Sequence, residues 1–167
     1  MNGFQKTDQV RARAPRAQRG RERGSAILEG ALVLIPFLAL LFALMDFSVA
    51  IFVQNVLRNA VREGTRFAIS QRTGGSGQDA AVKAVVQQNS MNFLTDVTRV
   101  SITYYDRNVN PVTGVGSNAG GNIIVVAVTG YPWTWMAPFM RSSTSLAFSA
   151  SSSDLMEAPP NGILPAR

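Results

Sequence analysis

The sequence has no cysteine and no histidine. Without cysteine there is no disulfide staple, thiol nucleophile or thiolate metal ligand, and without histidine no Ser-His-Asp arrangement or Cys/His metal site. Acidic residues are also scarce, ten in 167, and no closely spaced pair of them outside the apolar stretch suggests acid–base catalysis. The reading is a protein that is not an enzyme, with no cofactor, no metal and no small-molecule substrate. The best unassigned polar residues, Asp96, Tyr104 and Asp106, fit ordinary strand-end and turn chemistry.

Charge and hydrophobicity are segregated. Residues 1–24 hold seven basic groups (Lys6 and six arginines) against Asp8 and Glu22, a net +5, which leaves nine basic and eight acidic groups in the rest. The leader has almost no large apolar side chain and is expected to be a disordered, cytoplasmic segment. An arginine-rich arm can bind nucleic acid. This one directly precedes a long apolar run, so it reads as a topogenic signal, and no nucleic-acid partner is expected.

Residues 25–53 are expected to form a transmembrane helix. About 20 residues from Ala26 span a hydrocarbon core of about 30 Å, which puts Glu29 one turn inside the near interface and Asp46 at the far one. The uncharged stretch between those acids, residues 30–45, is 16 long, so the flanking turns must contribute to the span. The run is too long for a secretory signal peptide with a small-residue cleavage site. Basic residues are denser before the span than after it, which places the N-terminus in the cytoplasm and the C-terminal part outside. A single pass through the membrane is expected, with the C-terminal domain on the outer side. Pro36 is expected to bend the helix.

The external part, residues 54–158, is expected to be a small α+β domain with helices at about 54–70 and 78–94 and antiparallel strands at about 97–105, 122–130 and 143–153. Val56, Leu57, Ala60, Val61, Gly64, Phe67 and Ala68 recur at three- and four-residue spacing and make one apolar face. Arg58, Arg62 and Arg66 form a stripe, either a solvated face or a subunit contact, with Glu63 spaced to pair with Arg66. Ser76-Gly77-Gln78-Asp79 resembles a helix N-cap. Ile123 to Val128 is apolar on both faces, as in a central strand. Residues 106–121 read as a long loop, and 131–139, with Pro132 and Pro138, as irregular. Trp133 and Trp135 are either core or interface anchors or contact residues for a ligand. Residues 159–167 are expected to be a loose tail, and there are no internal repeats.

Glu29 is the residue that needs explaining, because a carboxylate in a membrane helix is costly. It either snorkels to the headgroups or has a partner. If the chain is cut after Gly24, the new α-amino group of Ser25 lies one helical turn from Glu29 and can face the Glu29 of a neighbour, each charge offsetting the other's desolvation. Gly20 is a poorer site, lacking a carboxylate at the fifth residue after it.

Gly24-Ser25-x-x-x-Glu29 before an apolar helix, after a basic leader, resembles the class III signal of type IV pilin-like proteins, which a membrane prepilin peptidase cuts on the cytoplasmic side. The run from Arg23 to Pro36, with Asp46-Phe47 and Asn59-Ala60-Val61-Arg62-Glu63-Gly64-Thr65-Arg66-Phe67-Ala68, is similar to TadE-like proteins over residues 22–69. Two departures qualify the likeness: Ser25 stands where type IV pilins usually carry Phe, and Glu29-Gly30 where the short major Flp pilin carries Glu-Tyr.

The resemblance implies a membrane-anchored, pilin-like α+β fold, located in the bacterial inner (cytoplasmic) membrane as a single-pass protein with a periplasmic domain, and a minor pilin or pseudopilin that helps assemble Flp-type (tight-adherence) pili or a related secretion apparatus. It also implies processing at Gly24, Ser25 and Glu29, and contacts through Glu29, Asp46, Arg58, Arg62 and Arg66 with pilin-like subunits and the assembly platform. The alternative is an uncleaved single-pass anchor that displays a periplasmic binding or sensor domain.

Overall fold

The structure, a computed structural model, describes residues 19–73, 75, 77–136 and 146–167, with side chains from Gly24 onward. The greater part of the leader, Ser76, Pro138 and Phe139, and the first three residues of the strand expected from 143 lie outside them. The chain divides into two compact units, Met1–Leu41 and Phe42–Arg167.

A single helix, α1 (Arg19–Ile69), enters both units. Among the described residues of the first unit it has no core: Ile27, Leu28, Leu32, Val33, Ile35, Phe37 and Leu40 are all exposed. A helix that is apolar all round belongs in lipid or in a protein core, and this one is long and apolar enough to cross a membrane. Among the described residues it is the one helix of that kind, and its place near the N-terminus suggests a single-pass membrane anchor. Pro36 sits inside α1 without ending it, although it has no N–H to donate to the carbonyl four residues back.

The second unit is a helix-on-sheet sandwich. Its stretch of α1 buries Ala50, Val53, Leu57, Ala60, Val61 and Ala68, at the three- and four-residue spacing that repeats one helical face. Against it lie α2 (Gln78–Asn89), which buries Val82 and Val86, and a sheet. Gly64 stands where these layers meet: a Cβ there would come within 2.4 Å of Val86 Cγ2, with Val126 also near.

The sheet is antiparallel, β1 (Val100–Tyr105), β2 (Pro111–Val112), β3 (Ile123–Trp133) and β4 (Leu146–Leu155), in the order β2-β1-β3-β4. β3 is central, pairing with β1 from Val100↔Val128 to Tyr105↔Ile123 and with β4 from Ile123↔Leu155 to Trp133↔Leu146. Ile124, Val126 and Val128 point into the core with Val100 and Tyr104 of β1. The result is a long N-terminal apolar helix, a second helix and a four-stranded sheet, the pilin-like α+β arrangement.

Four local expectations are corrected. Tyr131-Pro132-Trp133 is not irregular but the end of β3, reached through a bulge between Val128 and Tyr131. β1 has already ended there, so Pro132 lacks a donor only on an unpaired edge, where proline is tolerated. The loop at 106–121 contributes a two-residue edge strand, β2, opposite Tyr104 and Tyr105.

Helix α2 stops at Asn89 rather than near 94, because Met91 and Asn92 take left-handed backbone angles (φ 51° and 66°) that a helix cannot continue through. It begins where the stretch from Ser76 to Asp79 resembles a cap: Gly77 is the N-cap, at φ 92° and with no side-chain hydrogen bond, and Asp79 lies in the first turn. The strand expected from 97 begins at Val100, because Val97–Arg99 form a 3-10 turn capped by Asp96 through the N–H of Thr98.

Candidate functional site

The processing segment lies in the first unit. Gly24, Ser25 and Glu29 are exposed on the early turns of α1, and the four-residue spacing of Ser25 and Glu29 puts them on one helical face. Glu29 sits between Leu28 and Leu32, both 70% exposed, and among the described residues no side chain pairs with it. Nothing lies within 4 Å of where a Cβ on Gly24 would stand, and its backbone is not left-handed. A glycine inside a helix costs roughly 0.5–1 kcal/mol relative to alanine. Folding therefore gives no reason for glycine at this position.

The remaining candidates belong to the second unit. Asp46, expected at the far membrane interface, is only 2% exposed, and its Oδ1 accepts the backbone N–H of Met136 at 3.1 Å. Its carboxylate thus works within the chain, tying the segment after β3 to the helix. Arg58, Arg62 and Arg66 are all exposed, but they are not one uniform stripe. Arg58 lines a groove with Trp135, whereas Arg66 lines a separate cavity of about 440 Å³ with Glu63, Arg72 and Glu157. Glu63 and Arg66 form no ion pair; the only salt bridges among the described residues are Arg99–Asp96 and Arg167–Asp79.

Trp133 is buried and stacked on Phe148 at 5.9 Å between ring centroids, and Trp135 is half-buried against the core. Asp96 and Asp106 do turn chemistry. The hydroxyl and N–H of Thr98 hold the Asp96 carboxyl below its usual range, and Asn110 with the N–H of Asn108 does the same for Asp106.

One cluster has no counterpart in the sequence pattern. Tyr104 donates its hydroxyl to Asp79 Oδ1 at 2.7 Å, and Arg167 reaches Asp79 Oδ2 with Nη2 at 2.8 Å while its guanidinium lies 4.7 Å from the Tyr104 ring centre. Burial, then the Asp79 carboxylate, pushes the Tyr104 phenol far above its usual range.

Beneath it runs a buried amide network. Gln78 Nε2 donates to the carbonyl of Ala68, Asn118 Nδ2 to Gln78 Oε1 and to the carbonyl of Pro165, and the N–H of Gln78 to the carbonyl of Ala166. The end of the segment expected to be loose is therefore held in place. Gly77 is required there: beyond its positive φ, a Cβ would lie 2.7 Å from the backbone of Arg167. The pairs are 25 and 88 residues apart, so spacing carries no signal. The available hint was Tyr104 itself, on the buried face of an alternating strand where its hydroxyl needs a partner.

No curated protein and no solved structure matches the chain. A family model does match, over a segment that stops inside α1 and includes neither α2 nor the sheet. Residues 24–66, about a quarter of the chain, match the family described as TadE-like protein, the family that the motifs around Gly24 and Glu29 resemble, and this match supports a Tad pilus-associated component.

Proposed function

We propose that the protein is a TadE-like minor pilin or pseudopilin, a structural part in the assembly of Flp-type pili or a related secretion apparatus, cut after Gly24 by a prepilin peptidase. In this reading the basic leader lies in the cytoplasm, α1 crosses the inner membrane, and the second unit is periplasmic. Cutting removes the charge of the leader and creates an ammonium on Ser25, one turn from Glu29. In a low-dielectric setting that ammonium and the Glu29 of a neighbouring subunit offset each other's desolvation. Arg62 and Arg66 supply exposed cations for subunit or platform contacts, with Arg58 at the membrane end of the series and Asp46 securing the segment that follows β3.

The observation that carries this reading is Gly24. It is a glycine inside a helix, with open space around it and ordinary backbone angles, so its small size serves something other than packing. A peptidase that must bring the backbone close to its own catalytic carboxylates needs such a residue.

The test is the intact mass and N-terminal sequence of the protein from native membranes. A mature chain beginning at Ser25 is the expected result. A chain beginning at Met1 would refute the processing and leave an uncleaved anchored domain, the alternative reading. That alternative has less to bind with, since Trp133 is spent on Phe148.

A further inference from the structure

The second unit begins with a helical stretch that remains apolar on its free side for longer than the span requires. Phe47, Ile51 and Phe52 are 58%, 48% and 50% exposed, and Met136 and Leu146 add exposed apolar surface nearby. A groove of about 270 Å³ runs through this region.

One wall of the groove is α1, and its chemistry is graded along the axis. Phe47 and Ile51 come first, the amides of Gln54 and Asn55 next, and the Arg58 guanidinium last. At 1.5 Å per residue the gradient covers roughly 16 Å. The other wall is apolar, made by Trp135 with Leu146 and Phe148 of β4. Hydrogen bonds fix both walls: Gln54 Nε2 donates to the carbonyl of Ser149, and Asp46 holds Met136 beside Trp135. Among the described residues no acidic side chain lines the groove.

We propose that this groove holds one phospholipid of the leaflet under the external unit. Its acyl chain lies along Phe47, Ile51 and Leu146, its ester region is level with Asn55, and its phosphate meets Arg58. Three features favour a lipid as occupant. The order of chemistry, from apolar through amide donor to cation, is the order a phospholipid presents from tail through ester carbonyls to phosphate. The one charge among the described lining residues, Arg58, is positive, complementary to a phosphate and favourable for anionic headgroups. The apolar end lies next to Leu44 and Met45 of the same unit, which are also exposed, so an acyl chain has apolar surface to follow into the groove. Tryptophan and arginine at that depth are the side chains that settle at a membrane interface.

The lipid does structural work in this arrangement. It fills the gap between helix and sheet edge, covers apolar surface that would otherwise face water, and sets how deep the external unit sits. The inference rests on membrane anchoring by α1 and is independent of cleavage after Gly24.

The two tryptophans, Trp133 and Trp135, make the test direct, since one lines the groove and the other stacks on Phe148 of its wall. The full chain is reconstituted in equimolar phosphatidylglycerol and phosphatidylcholine, with bromine on the acyl chains of one lipid or the other, and tryptophan quenching is measured. Flotation confirms insertion separately, so a failure of anchoring is distinguished from a failure of the groove.

Brominated phosphatidylglycerol is expected to reach half-quenching at roughly a fivefold lower mole fraction than brominated phosphatidylcholine, the preference one cation confers at an anionic headgroup. Arg58→Gln should bring the two curves together, and Ile51→Asn should weaken quenching by both lipids. Equal quenching by both lipids, unmoved by Arg58→Gln, would overturn the proposal. So would disulfide cross-linking between copies through Leu146→Cys in place of quenching, because the groove would then hold a second copy of the chain.

Discussion

Leu34 and Leu57 lie in the same helix, and their surroundings could hardly differ more: Leu34 is 53% exposed and Leu57 fully buried. From Ala26 to Leu41 the helix is apolar on every side except at Glu29, and among the described residues nothing in its own unit covers it. From Ala50 to Ala68 it is apolar on one face, with Ala50, Ala60, Gly64 and Ala68 small enough for α2 and the sheet to approach closely. The backbone is the same and the solvent is not. An all-round apolar surface is stable where lipid replaces water, whereas a one-sided surface demands a protein partner.

The comparison can be broken with one pair of variants. Leu57→Ala removes a core side chain and should cost about 2–5 kcal/mol of stability, read as a fall in the unfolding midpoint in detergent. Leu34→Ala should leave that midpoint in place. Equal losses would mean that the first unit packs within the protein and not in lipid.

The glycines sharpen the same contrast. Gly64→Leu drives a side chain into Val86 and should cost about 1–3 kcal/mol as overpacking, visible in denaturant titration. At Gly24 a Cβ has nothing within 4 Å of it, so Gly24→Leu should leave the fold unaffected while the precursor accumulates uncut by mass spectrometry. Normal processing of that variant would mean that the peptidase does not require a glycine before the cut.

The smallest effect concerns the polar edge of the second unit. Tyr104→Phe deletes one hydrogen bond to Asp79 and should cost about 1 kcal/mol. Its pH signature has a definite sign. The phenol's pKa is raised on folding, so its contribution is complete below the unfolded value of about 10 and is lost as pH rises beyond it. The carboxyls of Asp96 and Asp106 are lowered, so theirs is complete above about pH 4 and is lost on acidification. Tyr104→Phe should flatten only the alkaline limb of a stability–pH curve, and Asp106→Asn only the acid limb.

Much of this molecule follows from local pattern. The apolar run after a basic leader, the glycine and carboxylate at its start, the three-four spacing from Val56 to Ala68 and the two-sided apolar strand from Ile123 can all be read from neighbours in sequence, because each depends on periodicity or on contacts a few residues away. What depends on residues far apart could not be read. Pro132 looked incompatible with a strand, and only the end of β1 beside it makes that position an unpaired edge. Asp46 looked like an interface charge until β3 brought Met136 to it, 90 residues along the chain. The final residues looked loose, and Arg167 is held by Asp79 and Tyr104, partners that no periodicity associates. Sequence alone determined the anchor, the carboxylate it carries and the faces of the elements, since helical and strand periods are properties of the local chain. Tertiary structure decided which polar groups meet, because burial of a charge or an amide is tolerated only where folding has placed its partner.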